Sequence, residues 1–290
     1  MNIKGIIPAL ITPFREDFSI DHDALSRLVE REIEGGADGF YVCGSTAECF
    51  LLTAEERKAV VETVVKAADR RVPIIAQIGN IGTAQAVELA KHAADAGVDA
   101  VSSVPPFYFK FSVDEIAGYY EAIAKAAGLP VVVYSIPAFS GVAITSDNLR
   151  KIIDASGAEG LKYTAQDLFE LERIRRANPE LTIFSGYDEI MASALPIGID
   201  GSIGSTFNVM LPKYKALVEA YKRGDNAAVS AKQTEVNRVI DVLIKVGVNP
   251  GIKYLLTKEG IPCGHCRPPF GQLTKENMEL LDSISEGLWA

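Results

Sequence analysis

Apolar and polar positions along the chain fall into two alternating patterns. Short runs rich in Val, Ile, Ala, Leu and aromatic residues show no strict alternation, and longer amphipathic stretches separate them. Runs of the first kind suit parallel strands that are covered on both faces. They predict strands over 5–10, 39–43, 73–78, 100–104, 130–134, 160–163, 181–185 and 201–203. Helices are predicted between them, two with clear start signals. Thr53-Ala-Glu-Glu56 opens a helix over 54–68, and Ser112-Val-Asp-Glu115 opens one over 113–127. In each, the hydroxyl and the carboxylate three residues on satisfy the free N–H groups of the first turn. Helix ends recur as Gly36-Ala-Asp-Gly39, Gly97-Val-Asp-Ala100 and Gly198-Ile-Asp-Gly201, a glycine stopping each helix just before the next strand.

The repeating unit is therefore a strand followed by a helix. Eight such units close more naturally into a barrel than they form an open sheet. The 290 residues fit one such domain, for which ~250 is typical. The expected fold is α/β, a (β/α)8 TIM barrel over residues 1–223. From 224 to 290 the pattern turns purely helical, at about 226–245, 250–258 and 274–287, and is read as a C-terminal helical extension packed on the barrel.

Composition narrows the function classes. Apolar residues make up 48% of the chain and charged residues 23%, a soluble globular balance. No apolar run approaches the ~20 residues that span a bilayer. The start of the chain, punctuated by Pro8 and Pro13, reads as a first strand and loop rather than a signal peptide, so a cytoplasmic location is expected. A net charge of −9 argues against nucleic acid and anionic membrane as partners. It says nothing against a small acidic substrate. Four cysteines, at 43, 49, 263 and 266, are too sparse for a disulfide scaffold.

In a barrel of this kind the chemistry sits at the C-terminal ends of the strands. Those ends read Cys43-Gly-Ser-Thr-Ala-Glu48, Pro105-Pro-Phe-Tyr108, Tyr134-Ser-Ile-Pro137, Lys162-Tyr-Thr164, Gly186-Tyr-Asp-Glu189 and Gly204-Ser-Thr206. Nearly all supply a hydroxyl, an amine or a carboxylate. Lys162 matters most. A lysine pointing into a barrel is costly unless neutral or paired, and desolvation frees its amine to attack a carbonyl. A buried ion pair, or a reach to solvent at the rim, would account for it equally well. Tyr134 ends the preceding strand, where a phenol can pass protons or simply fill the core. Gly44-Ser45-Thr46 offers N–H groups and hydroxyls that suit a carboxylate, or it is only a tight turn.

Two other signals point elsewhere. Cys263-Gly-His-Cys266 has the letters of a thiol–disulfide oxidoreductase motif, but Pro262, Pro268 and Pro269 deny it the helix that such a motif opens. The three histidines, His22, His92 and His265, are far apart, and Asp188 and Glu189 are adjacent, so no metal and no cofactor are expected.

In order, Gly44-Ser-Thr-Ala-Glu48, Tyr134-Ser-Ile-Pro-Ala-Phe-Ser-Gly141, Leu161-Lys-Tyr-Thr164, Gly186-Tyr-Asp-Glu189 and Ile203-Gly-Ser-Thr206 resemble the dihydrodipicolinate synthase / N-acetylneuraminate lyase family of class I aldolases. The resemblance runs from Pro8-Ala-Leu-Ile-Thr-Pro13 to Arg267-Pro-Pro-Phe270. It implies that Lys162 is the Schiff-base lysine and Tyr134 the proton shuttle. Ser45 and Thr46 then hold a substrate carboxylate, Ser45 also linking to a tyrosine pair. Tyr108 matches a tyrosine that reaches into a neighbouring subunit's site, which implies a homotetramer built as a dimer of dimers.

Phe139 stands where the synthase branch has an arginine for a second carboxylate, and a phenylalanine cannot make that bidentate clamp. Thr164, Gly186, Asp188, Glu189 and Ser205 match lyase-branch positions that contact an amino-sugar and its polyhydroxyl tail. The implied reaction is reversible aldol cleavage of a sialic acid to pyruvate and N-acetylmannosamine. Cleavage of another 2-oxo sugar acid, of the 2-keto-3-deoxygluconate type, and a non-catalytic sugar-acid binding or regulatory protein are the competing readings. Two positions depart from the family pattern: Ala47 replaces a usual glycine, tolerable unless its φ is positive, and Ser135 replaces a usual asparagine.

Overall fold

The computed structural model describes residues 1–289. Eight parallel strands are present: β1 Gly5–Pro8, β2 Phe40–Val42, β3 Ile74–Gln77, β4 Ala100–Ser103, β5 Val131–Ser135, β6 Gly160–Tyr163, β7 Thr182–Ser185 and β8 Gly201–Gly204. They hydrogen-bond in the order β1-β8-β7-β6-β5-β4-β3-β2. The ring closes where Ala9 bridges Tyr41 and the Leu10 N–H donates to the Tyr41 carbonyl at 3.0 Å. The chain is thus a (β/α)8 TIM barrel. The first strand is shorter than the 5–10 expected, because its last two apolar residues serve this closure instead.

Side-chain parity divides the interior into two layers. Ile7, Tyr41, Ile75, Val132, Tyr134, Phe184 and Ile203 form a cluster inside the barrel. Val131, Val133, Leu161, Tyr163 and Ile183 join a second cluster with the surrounding helices. Burial on both faces removes the need for polar alternation, which is why the strands read as continuous apolar runs. At the seam of β1 and β8 the backbones nearly touch. A Cβ on Gly201 would lie 2.4 Å from the Gly5 carbonyl oxygen, so only glycine fits there.

Both capping boxes form where the sequence places them. Thr53 caps Ala54–Ala68 and Ser112 caps Val113–Ala127, each exchanging bonds with Glu56 or Glu115. Gly36, Gly97 and Gly198 take φ of 84°, 93° and 91° at helix ends, the left-handed region that side chains resist. Past the last unit come helices Asn226–Val246, Val248–Lys258 and Lys275–Asp282. The last stops at Asp282, five residues short of expectation, with turns following. Cys263 and Cys266 lie in irregular backbone as buried free thiols, and burial pushes both up to about 12. Among the described residues no helix is long and apolar enough to cross a membrane.

A buried ion pair ties the C-terminal helices to the loop after β2. Lys253 Nζ lies 2.6 Å from Glu48 Oε1, with side chains 1% and 0% exposed. The other Glu48 oxygen accepts from the Arg267 N–H at 2.8 Å, and Lys253 Nζ also donates to the His265 carbonyl at 3.3 Å. Removing one partner strands a charge without water. Lys253→Met should therefore destabilise the protein by roughly 3–5 kcal/mol, read from the midpoint of urea unfolding. The double variant with Glu48→Gln should recover most of that loss; no recovery would show that packing, not charge, is at stake.

Candidate active site

The site follows from strand register. Tyr134 on β5 pairs with Lys162 on β6, which in turn pairs with Phe184 on β7. The neighbours of Lys162 along its strand, Leu161 and Tyr163, face the helices, so Lys162 points inward. It is 4% exposed. Among the described residues it takes part in no ion pair, which removes the reading of Lys162 as one half of a buried salt bridge. Its Nζ lies 4.2 Å from the ring centroid of Tyr41 and 4.2 Å from that of Tyr134. The two rings meet edge to face at 5.9 Å.

Burial pulls the Lys162 amine down to about 7 from the ordinary 10.5, with the charge of Asp188 the main opposing influence. A free amine is therefore populated near neutrality, without any base to strip it. Tyr134, 3% exposed, is pushed the other way, up to about 12, by burial. The hydroxyls of Ser45 and Thr164 pull it part of the way back.

Around this pair stand the hydroxyls expected from the strand ends. Ser45 and Thr46 open a one-turn 3-10 helix, Ser45–Ala47, whose first N–H groups have no acceptor within the turn. The Thr46 and Ser205 hydroxyls meet at 2.6 Å, joining the loops after β2 and β8. Thr12 Oγ1 pins the turn by donating to the Ala47 carbonyl at 3.0 Å. The left-handed residue here is Glu48, φ 59°, and Ala47 is outside that region, so the missing glycine does not strain the loop. Gly186 is a contact of necessity. A Cβ there would sit 1.8 Å from Thr164 Oγ1 and 3.2 Å from Lys162 Cε.

Asp188 is buried. Its Oδ2 accepts from the Thr206 N–H at 2.9 Å and from its hydroxyl at 2.7 Å, while Oδ1 is buried without a partner among the described residues. Burial raises its carboxyl to about 6. Glu189, partly buried, is also raised by burial. Tyr108 stands apart. It is 85% exposed on the loop after β4, with φ 77°, and contributes nothing to the cavity of its own chain. Phe139, 76% exposed, lines a cavity of about 270 Å³ beside Ser45, together with Phe50, Phe107 and Phe270.

Two residues of the site, Tyr41 and Cys49, lie outside the strand-end motifs. Tyr41 lies in mid-strand, and its parity with the inward-facing positions is the signal that finds it. Cys49 is buried beside Lys162 and held up to about 11, so it stays a neutral thiol. Thr206 ends a quoted motif, and only the structure shows that it grips Asp188.

The matched family model is the dihydrodipicolinate synthetase family, over residues 2–286. An N-acetylneuraminate lyase of Enterobacter sp. (strain 638) is 43% identical over 288 residues, 99% of this chain and 97% of that protein. CdNal of Clostridium difficile, solved in complex with mannosamine, superposes with a TM-score of 0.96 at 35% identity, covering 98% of this chain and 99% of that one. A catalytic lysine mutant of the Ruminococcus gnavus sialic acid aldolase gives 0.95 at 30% identity, covering 99% and 95%.

The amine's low pKa has a consequence for stability. Between about 7 and 10.5 the unfolded chain binds more protons than the native one. The burial penalty is therefore complete below about 7 and fades as pH rises to the ordinary lysine range. Lys162→Met should raise the thermal midpoint by about 5 °C or more near pH 6, with the gain shrinking towards about pH 10. A gain that ignores pH would put the wild-type amine in water.

Proposed function

The chain belongs to the dihydrodipicolinate synthetase family, and we propose that within it the protein is an N-acetylneuraminate lyase, a class I carbon–carbon lyase that works through a Schiff base. The observation that carries the chemistry is Lys162, buried, unpaired and held at about 7 beside a phenol. The relatives carry the substrate.

In the cleavage direction the Lys162 amine attacks the C2 ketone of the open-chain sugar acid. Loss of water gives an iminium, which draws electrons from the C3–C4 bond. As that bond breaks, the proton of the C4 hydroxyl must leave. Tyr134 is at about 12 and so is no free base at neutral pH. It works as a relay, taking the C4 proton as it passes its own through Ser45 to the substrate carboxylate that Ser45 holds, and the cationic iminium beside it favours the phenolate. N-acetylmannosamine departs, the enamine is protonated, and hydrolysis frees pyruvate. Relay catalysis of this kind is worth roughly 10²–10⁴-fold; the covalent iminium supplies the larger part.

Ser45 and Thr46 hold the substrate carboxylate with their hydroxyls and the open N–H groups of the turn. Thr164, Gly186 and Ser205 line the path of the amino-sugar, and Asp188 and Glu189 accept hydrogen bonds from its polyhydroxyl tail. The unpartnered Oδ1 of Asp188 supports this reading, since a buried acceptor is costly until a donor reaches it. Phe139 supports it too, because a sugar tail brings no second carboxylate to clamp.

The exposed Tyr108 and the aromatic cavity beside Ser45 support a homo-oligomer, a tetramer of two dimers, in which Tyr108 of one copy enters the next copy's cavity. We place the enzyme in the cytoplasm.

Pyruvate followed by borohydride should add one reduced pyruvyl group at Lys162, located by peptide mass spectrometry, and the wild type should release pyruvate from N-acetylneuraminate. Labelling elsewhere would end the assignment of Lys162. The kcat/KM of the wild type should fall about tenfold per pH unit below about 7, as the amine takes up its proton. Mixing inactive Lys162→Met and Tyr108→Phe subunits, unfolded and refolded together, should restore part of the activity. No restoration would confine Tyr108 to its own chain.

A further inference from the structure

The loop that carries Asp188 and Glu189 is held from outside the barrel by one face of the helix Asn226–Val246. Gln233 and Asn237 are four residues apart, so their side chains share that face. Gln233 Nε2 donates to the Asp188 carbonyl at 3.0 Å, and Asn237 Nδ2 donates to the Glu189 carbonyl at 3.0 Å. The two amides are joined, Gln233 Nε2 also donating to Asn237 Oδ1 at 2.9 Å. Gln233 Oε1 in turn accepts from the Ala192 N–H at 2.9 Å. Three backbone groups of one short loop are thus gripped by two side chains one helical turn apart.

Every one of these loop contacts is to main chain, so they fix the loop's course and leave its carboxylates free. From the opposite side Thr206 holds Asp188 Oδ2, and Tyr214 Oη stands 3.0 Å from Thr206 Oγ1. An apolar helix face would bury the loop equally well. It would not fix the loop's position along its own direction, which hydrogen bonds do through their narrow range of distance and angle.

We propose that Gln233 and Asn237 are positioning residues for substrate selection. They set the position of the loop that carries Asp188 and Glu189, and with it the preference for a 2-oxo acid with a long hydroxylated tail. The inference rests on the lyase reading above and names the device that aims its tail-binding carboxylates. Neither amide touches a reacting atom, so the covalent step should not depend on them.

Gln233→Met and Asn237→Leu keep side-chain bulk and remove the donors. In the double variant KM for N-acetylneuraminate should rise about tenfold, the effect of losing about 1.4 kcal/mol, with kcat changed less than about twofold. Trapping of pyruvate on Lys162 by borohydride should match wild type. KM for a six-carbon 2-oxo-3-deoxy acid, too short to reach the loop, should stay put, so selectivity narrows about tenfold. An unmoved KM, in a background where wild type cleaves the nine-carbon acid, overturns the positioning role alone. So does a parallel fall of kcat, pyruvate trapping and turnover of the short acid, which marks general loosening of the site. A wild type that traps pyruvate yet leaves N-acetylneuraminate intact overturns the substrate assignment, and this role with it.

Discussion

A lysine with no counter-ion among the described residues, shut away from water, is the constraint on which the site depends. The chain buries two lysines and treats them in opposite ways. Lys253 meets a carboxylate at 2.6 Å and serves as a structural tie. Lys162 meets the rings of Tyr41 and Tyr134 and no carboxylate. A charge of opposite sign in contact would have fixed Lys162 as an ammonium, stable and inert. Aromatic faces fill the space, attract a cation only weakly, and leave the amine poised between its two forms.

The surroundings extend the same logic. Burial raises Tyr134, Cys49 and Asp188 as it lowers Lys162, so these four groups are all pushed towards their neutral forms. A positive charge that develops during reaction, as an iminium must, would enter a region with few competing charges. Asp188 exerts the largest opposing influence, and its Oδ2 is held by the N–H and hydroxyl of Thr206.

Much of this was legible in the residues. The eight strands followed from apolar runs without alternation, and two helix starts from their capping boxes. Lys162 stood out because a charge in an apolar strand demands an explanation. What stayed hidden shares a cause: it depends on partners distant in sequence or on groups with no chemistry of their own. Tyr41 looks like any core aromatic until register shows it inside the barrel. Glu48 and Lys253 are 205 positions apart, and nothing in either neighbourhood announces the other. Gln233 and Asn237 read as the polar side of an amphipathic helix, since an amide bound to a carbonyl has the same letter as one bound to water. Tyr108 shows the limit from the other side: the family pattern marks it, yet a single chain leaves it in solvent.

The chain beyond residue 225 supplies none of the proposed reacting groups, but it touches the loops of the site at several points. Lys253 and Arg267 hold Glu48 after β2, Asn249 donates to the Ser45 carbonyl at 3.4 Å, and Gln233 and Asn237 hold the loop after β7. Lys162 and Tyr134, the proposed nucleophile and relay, sit on strands and pair with each other in register, Lys162 also with Phe184. The groups proposed to recognise the rest of the substrate sit on loops, which the ladder does not fix and something else must. Division of labour of this kind separates two properties that would otherwise change together. On the proposed reading, a substitution in the helices shifts which acid fits without disturbing the amine, because no strand hydrogen bond moves with it. The covalent chemistry would then be a property of the barrel, and the choice of substrate one that the helices behind it help to set.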